Sequence, residues 1–242
     1  MGGYYLLFLT AIIAVAGVFE VYRLAERATG AKPAYSLGIA LTLAFMLNAW
    51  LGAWDEGLLL TFAVALPLVW LLARRQPDSF AAWAATVAGV LYVGWLFSHA
   101  LLLRAVVDGR SWLLFAVLVT FATDTGAYFI GKLVGRHRMA PSISPKKTWE
   151  GAVGGVAGAA AAALGLAVIL PLPLAAWQAL LLGVAVAVVA EVGDLAESML
   201  KRSAGAGEAS QLLPGHGGML DRLDSILFTI PFVYYVVMER LL

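Results

Sequence analysis

Apolar blocks, each roughly twenty residues long, follow one another along the chain with short polar breaks between them. The hydrocarbon core of a bilayer takes about 20 mostly apolar residues per spanning helix. The pattern therefore predicts an all-α, polytopic membrane protein with about eight transmembrane helices, at 3–22, 36–54, 57–73, 80–103, 111–134, 151–170, 175–199 and 225–241. Asp55, Glu56 and Gly57 are all that separates the second from the third. Pro171 and Pro173 separate the sixth from the seventh, since proline ends a helix and restricts the residue before it. The sixth block is rich in small residues, with Gly151, Gly154, Gly155 and Gly158 ahead of an alanine run. Small residues let helix backbones approach closely in lipid, where packing drives association, so this helix is expected inside the bundle.

Composition agrees with the pattern. The 242 residues are 62% hydrophobic and 13% charged, against about 45–50% and about 25% for soluble domains. The absence of cysteine excludes disulfides and thiolate chemistry. The net charge of +1 gives no reason to expect a nucleic-acid partner. The first block, Tyr4 to Phe19, lacks a basic flank and a small-residue cleavage site and reads as a retained helix. No separate soluble domain or internal repeat stands out. The chain divides into a lipid-facing scaffold, 1–110, and a C-terminal part, 111–242, that holds the chemistry.

The charges change the picture through their position. Thirteen of the sixteen lysines and arginines fall on the first, third, fifth and seventh interhelical loops, and Arg104, Arg110 and Arg240 are the others. Cytoplasmic loops collect Lys and Arg, so the odd loops are expected in the cytoplasm and both termini outside. The two most polar loops, the fifth and seventh, then share the cytoplasmic side and can build one site.

Around the fifth loop, Asp124 lies within an apolar helix, where an ionisable group is costly unless it faces a partner or a polar cavity. The plainer reading is a structural ion pair between helices. Tyr128, four residues on, shares its face. Ser144, Lys146 and Lys147 lie in a turn segment with two prolines, Pro141 and Pro145, and stand just before the sixth helix. Two lysines there suit anchoring at anionic headgroups, while a serine, a threonine and a helix N-terminus beside them suit phosphate binding.

In the seventh helix Asp194, Ser198 and Lys201 share a face, with Glu191 a turn before Asp194. Asp194, near the membrane boundary, suits a metal ligand, while Glu197 and Lys201 have the spacing of an i, i+4 pair. Then comes the most polar long segment, with Lys201, Arg202, Glu208, His216, Arg222, Asp221 and Asp224, and with Gly215, Gly217 and Gly218 around the histidine. Glycine, cations and paired carboxylates suit phosphates held with a divalent metal. Asp221 and Asp224, three apart, would repel on a helical turn. A bound cation relieves this, and Arg222 points elsewhere. Oxygen donors without cysteine favour magnesium over zinc. The three histidines lack metal-ligand spacing, and His216 among glycines suits a hydrogen bond to phosphate. No G-x-x-x-x-G-K-[ST], G-x-S-x-G or H-E-x-x-H pattern is present.

These motifs resemble those of the phosphatidate cytidylyltransferase (CDP-diacylglycerol synthase) family. The stretch L-P-G-H-G-G-M-L-D-R-L-D-S, Leu213 to Ser225, carries the likeness furthest. It is joined by G-D-L-A-E-S-M-L-K-R from Gly193, S-P-K-K-T-W-E-G from Ser144 and D-T-G-A-Y from Asp124. The likeness covers the C-terminal half. Gly207 and Glu208 depart from it, standing where the family usually has a Lys-Asp pair.

The resemblance implies magnesium-dependent transfer of CMP from CTP to phosphatidate, giving CDP-diacylglycerol and pyrophosphate, at the cytoplasmic face of the inner membrane. It implies Asp194, Asp221 and Asp224 as metal ligands, and those three with Lys147 as the catalytic set. Ser144, Lys146, Ser198, Lys201, Arg202, Glu208, His216, Gly217, Gly218 and Arg222 are implied at the substrates. Asp124 either orients a ligand or holds a second cation. A homodimer is compatible with this reading. Two competitors stand beside it: a CTP-dependent enzyme acting on another lipid phosphate or lipid alcohol, and a membrane transporter, which the intramembrane Asp124 and the Gly-rich helix also suit.

Overall fold

The computed structural model describes residues 3–75, 78–210 and 217–239. All eight apolar blocks are helical. The helices are α1 (Gly3–Thr29), α2 (Tyr35–Leu51), α3 (Glu56–Arg74), α4 (Ser79–Gly89), α5 (Leu96–Ala105), α6 (Gly109–Val134), α7 (Trp149–Ile169), α8 (Ala176–Ser203), the one-turn α9 (Leu220–Leu223) and α10 (Ile226–Met238). A π-helical segment, Val90–Trp95, joins α4 to α5 without a break. Among the described residues six helical stretches are long and apolar enough to cross a membrane, the joined α4–α5 counting as one, and α2 is a shorter apolar helix. The chain is thus a multi-pass membrane protein built of helices.

One element was not expected. The segment between α6 and α7 forms an antiparallel hairpin of β1 (Arg138–Ala140) and β2 (Ser144–Thr148). Arg138 pairs with Thr148 and Ala140 with Ser144, with an irregularity between. Pro145 accounts for part of this, because it has no N–H to give the ladder.

The chain forms two compact units. The first comprises Met1–Leu102 and Leu200–Leu223, the second Leu103–Met199 and Asp224–Leu242. In the first, Leu41, Phe45, Leu59, Ala63 and Val90 make a core between α2, α3 and the π segment. The Tyr22 hydroxyl donates to the Thr86 carbonyl at 3.0 Å and ties α1 to α4. Asp55 caps α3 by accepting from the Leu58 N–H, so the break between the second and third blocks is a helix start.

In the second unit α6 and α7 lie backbone against backbone. A methyl group on Gly158 would sit 2.7 Å from the Ala122 carbonyl oxygen, and one on Gly126 2.5 Å from that of Gly154. The small residues make the close helix contact that the sequence predicts, but α7 is not enclosed: Val153, Val168 and Ile169 on it are exposed. Further along, Thr120 donates to Thr229 at 2.9 Å between α6 and α10.

Candidate active site

The close approach of α6 and α7 fixes the two ends of the hairpin. Thr148 caps α7 by accepting from the Gly151 N–H at 3.1 Å. Glu150, in the first turn of α7, accepts from the backbone N–H groups of Arg136 and His137 and holds the chain as it leaves α6. A methyl group on Gly151 would sit 3.0 Å from the Ala127 carbonyl oxygen. The T-W-E-G run is therefore the fastening of the hairpin to its helices.

So fastened, β2 brings Lys147 to α8. Its ammonium lies 2.6 Å from Glu191 Oε2 and 2.8 Å from Asp194 Oδ2. Burial works against the lysine charge, but Asp194 and Glu191 outweigh it and hold the pKa above the ordinary lysine value. The three residues border a cavity of about 470 Å³. Asp124 and Tyr128 on α6 and Lys146 and Arg138 on the hairpin also line it. Asp124 is within electrostatic reach of Asp224, Asp194, Glu191 and Lys147. On α8 the Ser198 hydroxyl donates to Asp194 at 3.3 Å, as their spacing predicts. Asp224 follows α9, and its Oδ1 accepts from the Ser225 N–H. The Gly193 backbone is close to the Asp224 carbonyl, so α8 runs beside this turn. Ser144 sits in the hairpin register opposite Ala140 and does not line the cavity.

The other expected residues belong to the first unit. Lys201 pairs with Asp221 at 2.6 Å. Asp221 also accepts from the Gly218 N–H at 2.7 Å and the Ala209 N–H at 3.1 Å. Burial pushes this carboxyl upward, but Lys201 and the two N–H groups prevail and hold it below the ordinary aspartate range. The sequence reading sought the balancing charge for Asp221 in a metal ion. Among the described residues Lys201 supplies it, and Arg222 is exposed. Gly217 has φ +78, a left-handed backbone that glycine adopts without strain. Arg202 donates to the Ala206 carbonyl. Glu208 lines a separate cavity with Arg23 and Arg27. His216 lies outside the described residues.

Two residues carry more than the sequence showed. Glu191 shares Lys147 equally with Asp194. Glu20, in the middle of apolar α1, is 1% exposed. It accepts from the N–H groups of Met219 (3.0 Å) and Leu220 (2.7 Å) and from the Ser210 hydroxyl (2.5 Å), so it anchors the polar segment. The one signal for it was a lone carboxylate inside an apolar block.

The family model described as "Cytidylyltransferase family" matches residues 1–239. The chain belongs to the cytidylyltransferase family. This cytidylyltransferase-family chain is 35% identical over 207 residues to the phosphatidate cytidylyltransferase of Staphylococcus saprophyticus, covering 84% of this chain and 78% of that protein. It is 34% identical over 265 residues to the phosphatidate cytidylyltransferase of Synechocystis, covering 98% of this chain and 89% of that protein. With the phosphatidate cytidylyltransferase of Bacillus subtilis it shares 36% identity over 177 residues, covering 73% and 66%.

Within this family member the donor chemistry fits a hard divalent cation. Among the described residues no three acidic or histidine side chains are close enough to cage an ion. Magnesium seldom uses such a cage; it takes one or two carboxylates and completes its shell with water and substrate phosphates. Glu191 and Asp194, converging on one cationic group, provide such a pair.

Proposed function

We propose that this chain is a phosphatidate cytidylyltransferase: it transfers CMP from CTP to phosphatidate and releases pyrophosphate. The observation that carries this reading is Lys147 held between Glu191 and Asp194 at a cavity built from three of the family's motif segments. An oxygen of the lipid phosphate attacks the α-phosphorus of CTP, one P–O bond forms, and the bond to pyrophosphate breaks. The attacking group belongs to the substrate, so the protein supplies no nucleophile. Its work is to bring two anions together and to stabilise the charge that builds on the leaving phosphate.

Lys147 and Lys146 offset phosphate charge at the cavity, with Arg138 beside them. Asp194 and Glu191 would hold magnesium, and Asp124 and Asp224 add negative charge nearby. When bound, the metal neutralises phosphate oxygens and supports the departing pyrophosphate. Ser198 fixes the orientation of the Asp194 carboxylate. Asp221 is given a different role from the one expected: with its oxygens taken up by Lys201 and two N–H groups, it holds the glycine loop in shape. The distribution of Lys and Arg over the loops supports reading the cavity at the cytoplasmic face of the cell membrane, where CTP arrives from water and phosphatidate from lipid.

The test is pyrophosphate release from CTP by the purified chain. Release is expected with phosphatidate and magnesium together and only then. Release that ignores phosphatidate would sink the reading.

A further inference from the structure

The reaction just described makes no use of a second, large cavity. It belongs to the first unit and measures about 820 Å³. Arg23 and Arg27 line one wall, four residues apart and on one face of the end of α1. Among the described residues neither makes an ion pair with a carboxylate, and the Arg23 guanidinium lies 5.9 Å from the centre of the Phe19 ring. Glu20 borders the same cavity, but its carboxylate is turned to the Met219 and Leu220 N–H groups and the Ser210 hydroxyl. Its charge is therefore met by other donors. The wall contributed by the polar segment is open at Gly207, where an added methyl group would have no atom within 4 Å. Glu208 is the one exposed carboxylate on that wall, and the arginines outnumber it two to one.

Like charges at i, i+4 repel. Planar guanidinium forks match phosphate oxygens two at a time and favour phosphate over water. We propose that Arg23 and Arg27, facing Gly207 and Glu208, form a phosphate-binding pocket that takes a phosphate group of one of the two substrates. The ligand is a phosphate ester: the polyphosphate of CTP or the headgroup of phosphatidate. This inference rests on the reading of the chain as a nucleotidyltransferase. It adds a contribution from the first helix, which carries none of the family-like motifs.

The experiment uses the full chain in phosphatidylcholine nanodiscs at low salt. CTP binding is measured calorimetrically in one arm, and the KM for phosphatidate in the other. Joint replacement, Arg23→Ala with Arg27→Ala, is expected to weaken one of the two by about tenfold or more, with an unchanged melting temperature. The lysine pair should keep part of the effect. Movement in the CTP arm assigns the pocket to the nucleotide, and movement in the phosphatidate arm assigns it to the lipid.

Glu208→Gln and Gly207→Lys act in the opposite direction. Each should tighten the same probe severalfold, and they carry the test if the double variant does not fold. If neither probe responds to any of these changes while Asp194→Asn still abolishes transfer, the pocket is overturned and the proposed reaction stands. If Asp194→Asn also leaves transfer intact, the proposed reaction falls too.

Discussion

In the second unit one ammonium, Lys147, lies between two carboxylates, Glu191 and Asp194, and Asp124 opens into the same cavity. In the first unit one ammonium, Lys201, lies against one carboxylate, Asp221, and two backbone N–H groups take up the remaining oxygen. The residue types are the same, and what differs is the remainder of charge. The Lys147 contact has two carboxylates to one ammonium and a cavity beside it, so its groups can exchange partners with a ligand. The Asp221 cluster is balanced and closed by the backbone, and the Glu20 carboxylate is closed by backbone N–H groups and a hydroxyl. An acid and a lysine in contact say little about chemistry until every other donor to the acid has been counted.

The comparison breaks most readily at the open cluster. Asp194→Asn keeps the shape and removes the charge, and it should lower kcat by about 10²–10³ while the protein elutes and melts as before. Lys147→Met should do similar damage. A variant at either position with full pyrophosphate release would erase the distinction.

The closed cluster predicts a different phenotype. Glu20→Gln leaves two backbone N–H groups facing a mixed acceptor and donor. It should cost on the order of 3 kcal/mol, seen as a lower melting temperature and faster proteolysis between residues 200 and 223. If stability holds and magnesium dependence shifts instead, Glu20 belongs with the chemistry.

A double-mutant cycle on Lys201→Met and Asp221→Asn should return a coupling of about 1–3 kcal/mol in unfolding. A coupling near zero would mean that the N–H groups alone hold Asp221.

The smallest effect is that of pH. The Asp221 pKa is depressed in the folded chain, so its contribution is fully present above the unfolded value of about 3.9 and is lost as pH falls through the folded one. For Lys147 the folded pKa is raised, so its contribution is present below about 10.4 and fades only above that. Melting temperature should therefore drop on the acid side by way of Asp221, and Asp221→Asn should flatten that limb.

How much of this was legible in the sequence depended on distance along the chain. The all-helical, multi-pass architecture was, because each span is a local run of apolar residues, and so was the contact of Ser198 with Asp194, which needs only helical spacing. The packing of α7 on α6 was legible in part, since glycines mark a surface for close approach without naming the partner. The hairpin was not: β1 is three residues long, and Pro145 argues against a strand. The meeting of Lys147 with Glu191 and Asp194 spans more than forty residues, and that of Glu20 with Leu220 spans two hundred. No local rule joins such pairs. Asp221 shows the same limit, for its contact with Lys201, twenty residues earlier, has no local signal.

The backbone-to-backbone seam between α6 and α7 has a consequence for how this protein can change. Because the stalks of the hairpin are locked, residues added or lost at its turn, 141–143, should alter only the tip, and variation in length is cheap there. A single carbon added at Gly126 or Gly158 would wedge the stalks apart and carry Lys147 away from α8, far from any substrate. Tolerance to mutation in this region should thus run opposite to solvent exposure of the reaction centre: lax at the visible end, strict in the hidden seam.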